Sequence, residues 1–187
     1  FEQGSTLVVV EGHGHGLAPE DDIDRLQDRT LRTTLSNMLA GIGFALVLGA
    51  AMQLHGERRG LRQGLWWGAA GFVTFFAAPS LGLPPELPGS WAAALGERQL
   101  WWLLTVSLTA LGLALLVFGV KRYWQIGGVV LLLIPHLIGA PQPLAVGGTV
   151  PEALTQQFWL ATTLSSAIFW LALGSLSGWL YPRMKRS

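Results

Sequence analysis

The stretch Gly128–Pro143, GVVLLLIPHLIGAPQP, starts as a membrane-spanning helix and then admits a proline and an ionisable imidazole into its apolar run. With the residues that precede it, it forms an apolar segment over 124–140, close to the length of about 20 residues that crosses a bilayer. Four further segments have that character, at 34–54, 61–81, 100–120 and 157–180. The spacing predicts an all-α polytopic membrane protein, a bundle of about five transmembrane helices.

Composition points the same way. Of 187 residues, 51% are hydrophobic and only 12% are charged, about half the charged fraction of a soluble domain. The chain has no cysteine, which excludes a disulfide framework, a thiolate metal site and a catalytic thiol. Residues 1–12 are too polar for a signal peptide. Small residues recur four apart at Gly60, Gly64 and Gly68 and again at Gly174 and Gly178, a spacing that lets helix backbones approach closely.

Basic residues set the orientation. Arg58, Arg59 and Arg62 join the first two spans, Lys121 and Arg122 join the third and fourth, and Arg183, Lys185 and Arg186 follow the fifth. An up-down bundle puts these three segments on one side, and the positive-inside rule makes that side the cytoplasm. The N-terminal arm, the PPELPG loop and the APQPLAVGGTVPEA loop then lie outside, as an extracytoplasmic face. All tryptophans except Trp170 fall near span ends or in an outer loop, as an aromatic belt requires. The inside carries eight basic residues and one acid, Glu57; the outside carries four basic residues and ten acids. A negative outer mouth concentrates cations.

Two regions follow: residues 1–33 as an extracytoplasmic, histidine-containing arm with an amphipathic helix, and 34–187 as the transmembrane domain. Pro19 followed by Glu20, Asp21 and Asp22 is a helix start, with acids at the positive end of the dipole. Ile23, Leu26, Thr30, Thr34 and Met38 continue at helical spacing, so this helix is expected on the outer surface before it turns into the first span. Thr149 and Glu152 have capping-box spacing ahead of the fifth.

The residues that could carry chemistry are few. His13 and His15, in EGHGHG, offer two imidazoles on flexible backbone, and imidazole binds cobalt, nickel, copper and zinc. The plain alternative is a solvated loop. His136 is the one ionisable side chain inside a span, and such residues face a bundle interior or a water-filled cavity. Pro135 beside it has no N–H and leaves the Leu131 carbonyl without its usual donor; Pro79 would make a similar break at similar depth. The plain alternative for His136 is a hydrogen bond to another helix. Glu86 and Glu97, in the outer loop and at the start of the third span, complete the candidate metal ligands or path residues. Asn37, Met38 and Gln156 are weaker outer-end candidates, and His55, ahead of Gly56, reads as a helix terminator.

The sequence holds no phosphate-binding G-x-x-x-x-G-K-[ST], no H-E-x-x-H and no G-x-S-x-G. It also lacks intramembrane carboxylates and any pattern of nucleic-acid readout. No nucleophile or acid–base pair is evident, so the protein is expected not to be an enzyme and to bind no cofactor.

The phrases APEDDIDR, GFALVLGA, GFVTFFAAPSLGLPPELPG, RQLWWLLT and PHLIGAPQP occur in that order. In them the chain resembles the CbtA family of cobalt transporter subunits over nearly its whole length after residue 11. The resemblance implies a multi-pass protein of the bacterial inner membrane, with its C-terminus cytoplasmic, that takes up Co²⁺ for cobalamin synthesis. It also implies a small single-span CbtB-type subunit as partner; membrane lipid and a second copy of the chain are further expected partners. Family members typically open with another hydrophobic segment, which would give six spans and an inner N-terminus. The competing reading is a structural or accessory subunit of a larger membrane complex that conducts no ion.

Overall fold

A computed structural model describes residues 19–55, 60–87, 89–143 and 151–184, with the backbone alone at 19–24 and 181–184. The elements are α1 (Pro19–His55), α2 (Leu61–Phe72), a π-helical turn (Val73–Ala77), α3 (Ala78–Gly82), α4 (Leu95–Phe118), α5 (Arg122–Ile138) and α6 (Glu152–Met184). Among the described residues every regular element is helical. Three helices, α1 from Arg25, α4 and α6 to Leu180, are long and apolar enough to cross a membrane, and α5 is a shorter apolar helix. The segment expected over 61–81 is helical from Leu61 to Gly82, its hydrogen-bond register changed at the π turn. Pro79 explains that change. It supplies no N–H and its ring crowds the carbonyl four residues back, and a widened turn relieves the clash.

The chain divides into two compact units, residues 1–43 and 44–187. In the first, α1 is helical from Pro19, the first described residue, and Arg32 pairs with Asp28 at 2.8 Å one turn away. Leu26, Thr30, Thr34 and Met38 all stand exposed within this unit. The turn expected before residue 34 is absent, for α1 passes through Thr33 and Thr34 without a break. Neither residue breaks a helix, and their hydroxyls donate to the Arg29 and Thr30 carbonyls.

In the second unit, α2 packs against α6 and α4 against α5, each pair antiparallel. Glycine sets both contacts. A Cβ on Gly64 would fall on the Gly174 carbonyl, one on Gly68 on the Trp170 carbonyl, and one on Gly174 on the Gly64 carbonyl. Across the other pair, a Cβ on Gly112 would stand 2.8 Å from the Gly128 oxygen, and one on Gly128 2.7 Å from the Gly112 oxygen. The small-residue spacing seen in the sequence is therefore one shared seam between α2 and α6.

Side chains follow the inverse of a soluble pattern. Thr105, Thr109, Gly64, Gly68 and Gly128 are buried, while Leu111, Val117, Leu133 and Ile168 face outward. With hydrocarbon as solvent there is no hydrophobic drive between helices, so close-packing small and hydroxylated residues fill the contacts. Hydroxyls on these helices bond back to their own helix, as Thr105 to the Trp101 carbonyl and Thr162 to the Phe158 carbonyl, both at 2.8 Å. Trp170, 4% exposed, stacks on Phe75 at 5.2 Å and meets Phe44 at 4.9 Å, joining α6, the π turn and α1. It is also the tryptophan that fits no aromatic belt.

Gly64→Ala and Gly174→Ala should each destabilise the protein by about 1–3 kcal/mol, because the added methyl meets backbone that cannot move aside. Gly49→Ala, with open space around its Cβ, should be neutral or stabilising by up to about 1 kcal/mol. Thermal unfolding in detergent separates the two cases; equal losses at all three positions would refute the seam.

Candidate functional site

The two ends of the second unit differ. At one, His55 is the last described residue of α1, its ring 4.4 Å from Phe118 at the end of α4 and 6.1 Å from Trp67 of α2. Arg62, Lys121 and Arg122 start or flank helices at this same end. At the other end the last turn of α3, the first turns of α4 and the last turn of α5 converge on Trp101. Its indole is 6% exposed, and a Cβ on Gly82 would strike its ring and stand 2.9 Å from the Ala140 methyl.

His136 belongs to this end. It is half-buried, and its ring lies edge-on to Trp101, with centroids 6.2 Å apart and planes at 67°. Pro135 is fully buried, yet α5 stays helical through it to Ile138. The break expected there is slight because the proline sits in the last turn, where Gly139 turns the chain with φ 84° and its N–H donates to the Pro135 carbonyl at 3.1 Å. The α4 face towards α5 keeps polar groups without a protein partner: the Trp101 Nε1 and Thr109 Oγ are buried and unbonded.

Beside Trp101, the π turn, α3, the loop after it and α4 line an open cavity of about 640 Å³. Pro79 and Glu86 line it, so two of the candidates from sequence share one space. Arg98, also in its wall, reaches Glu86 with Nη2 to Oε2 at 3.0 Å. Sequence reasoning passed over Arg98. The available signal was its isolation, as the one outer basic residue beyond the arm, directly before the apolar run of α4. Glu97, one residue earlier, is exposed in the first turn of α4, where an acid favours the helix dipole. Glu97 and His136 do not line the cavity.

Among the described residues no group of three or more His, Asp or Glu side chains could hold a metal ion. Asn37, Met38 and Gln156 are exposed on α1 and α6. His13 and His15 lie outside the described residues, as does Thr149 of the expected capping box. The first turn of α6 closes on the Pro151 carbonyl, which accepts from the Leu154 N–H at 3.0 Å.

The Glu86–Arg98 pair is about three-quarters buried on the Glu86 side and slightly less on the other. Solvent at the cavity mouth still screens it, so a double-mutant cycle of Glu86→Gln and Arg98→Gln should give a coupling of about 1 kcal/mol or less, reduced by salt. A coupling insensitive to salt would mean that the pair is sealed from water.

With this geometry in place, the chain belongs to the CbtA family, described as probable cobalt transporter subunit, which it matches over residues 2–182. No curated protein and no solved structure matches it.

Proposed function

We propose that the protein is a Co²⁺ uptake subunit of the bacterial inner membrane, serving cobalamin synthesis without catalysing a reaction of its own. Membership of a cobalt transporter subunit family over residues 2–182 carries the reading. In it the helical run 61–82 and α5 join the three longer helices as spans, giving five. The basic end faces the cytoplasm with the C-terminus, and the arm and the Trp101 end face outward. The antiparallel pairing of α2 with α6 and α4 with α5 supports this arrangement, since it gathers Arg62, Lys121 and Arg122 at one end.

The acidic arm and His13 and His15 raise the local ion concentration, and His136 contributes an imidazole to the path below. A cation entering along the membrane potential gains about 2.3 kcal/mol per charge per 100 mV, roughly twice that for a divalent ion. Uptake then needs no nucleotide hydrolysis. Further ligands come from water or from the partner that a subunit implies, for which a small single-span CbtB-type protein is the candidate.

Radiolabelled cobalt uptake into liposomes, with and without that partner, tests the proposal. Accumulation driven by an inside-negative potential is expected; its absence in both preparations would favour an accessory subunit. Orientation is checked with single cysteines, for which the chain provides no background thiol. Ala92→Cys should react with an impermeant maleimide in intact cells and Gly60→Cys only after lysis. The reverse pattern would invert every assignment of side.

The two histidine sites should separate kinetically. Replacing His13 and His15 together by Ala should weaken uptake severalfold at low cobalt and leave the maximal rate unchanged, because only local concentration is lost. His136→Ala and His136→Gln should both lower the maximal rate at normal membrane abundance. If Gln restores uptake, His136 serves as a hydrogen-bonding group and not as a ligand.

A further inference from the structure

The cavity between the π turn, α3 and α4 has a composition that the passage of a cation does not use. Its volume of about 640 Å³ lies in the range of sites that hold small organic ligands. Phe75, Phe76 and Leu83 form one wall, and Trp102 and Leu103 the other. Charge is confined to Glu86 and Arg98, at the level where α4 begins. Along α4 the lining runs from Leu95 to Leu103, about 13 Å at 1.5 Å per residue and less than half of the roughly 30 Å hydrocarbon thickness. A spanning helix from another protein would need a groove along the whole bundle. A short apolar cleft with one two-signed corner at the membrane surface calls for an amphipathic molecule whose head carries both charges.

We infer that this cavity binds a phospholipid with a zwitterionic, primary-ammonium headgroup. The acyl chain lies against Phe75, Phe76 and Trp102, the phosphate meets Arg98 and the ammonium meets Glu86. Guanidinium presents a planar fork of N–H donors that suits a phosphate. The contact with Glu86 uses only Nη2, and Nε is buried with no acceptor, so Arg98 has donor capacity that the protein leaves unused. A carboxylate beside it suits a group that donates N–H bonds. An anionic headgroup would set its phosphate beside Glu86 with no ammonium to offset the repulsion. A quaternary ammonium could approach but has no hydrogen to donate. The inference does not depend on cobalt transport, so either can fail alone.

The test uses the full chain in detergent, exposed to equal amounts of dioleoyl phosphatidylethanolamine, phosphatidylcholine and phosphatidylglycerol, with retained lipid read by native mass spectrometry. One phosphatidylethanolamine per chain is expected, favoured about tenfold over the other two, as charge-assisted hydrogen bonds to the head would give. It alone should raise the melting temperature. Glu86→Gln and Arg98→Gln should each bring the preference to within about twofold. The headgroup series on the unaltered protein decides the matter even if those variants fold poorly. Equal retention of all three lipids would show non-specific boundary lipid and overturn the assignment, as would a preference for phosphatidylglycerol. Displacement of lipid by a co-purifying protein would give the cavity to that protein instead.

Discussion

The contact of glycine Cα on carbonyl oxygen between α2 and α6 is the constraint from which the rest of the second unit follows. In a bilayer, apolar side chains gain nothing by leaving lipid for one another, so helices associate where backbones can come nearest. Gly64 and Gly68 face Gly174 and Gly178 with no room for a methyl group, and Gly112 and Gly128 repeat the device between α4 and α5. These contacts lie towards the basic end. Towards the other end the contact residues become bulky: Phe75 and Trp170 at mid-depth, then Trp101 and Trp102. Small residues at one end and large rings at the other bring the helices together below and leave space between them above. The cavity lies where that space opens.

Much of this was legible in the sequence because the signals are local and periodic. Run length placed the segments, and the Gly-xxx-Gly spacing named the surfaces of α2 and α6, although it could not say that each was the other's partner. Gly112 and Gly128 were missed because neither has a glycine four residues away in its own helix. The π turn was also hidden, since a proline announces a disturbance but not whether the helix bends, ends or widens. The continuity of α1 through residue 34 ran against an expected turn because threonines that bond back to their own helix read as polar punctuation in a one-dimensional pattern.

The site was legible only in part, and the reason is chemical. Histidine, proline and glutamate stand out in apolar sequence, so His136, Pro79 and Glu86 were found. What they do depends on neighbours remote in sequence. Glu86 looks like a free acid until Arg98 is set beside it across a turn of the chain, and pairing changes it from a cation ligand into half of a two-signed corner. His136 looks like an isolated imidazole until Trp101 is set beside it. Arg98 itself was counted among outer charges and not weighed, although an arginine at a helix start in a membrane always needs an anion, water or a headgroup.

The two prolines show why function would gather at this end. Away from helix ends, each backbone carbonyl in a bilayer is held by its own helix, and polar lining is unavailable without a break. Pro79 widens one helix at the π turn, and Pro135 removes a donor in the last turn of another, where Gly139 already ends the ladder. Both devices loosen backbone bonding where α3, α4 and α5 end or begin, and they do so without unfolding a span. The buried Trp101 and Thr109 groups that lack protein partners lie on α4, which packs against both α3 and α5. A group entering the cavity at this end would meet the Glu86 carboxylate and the Arg98 guanidinium, whereas at the glycine seams backbone is closed against backbone.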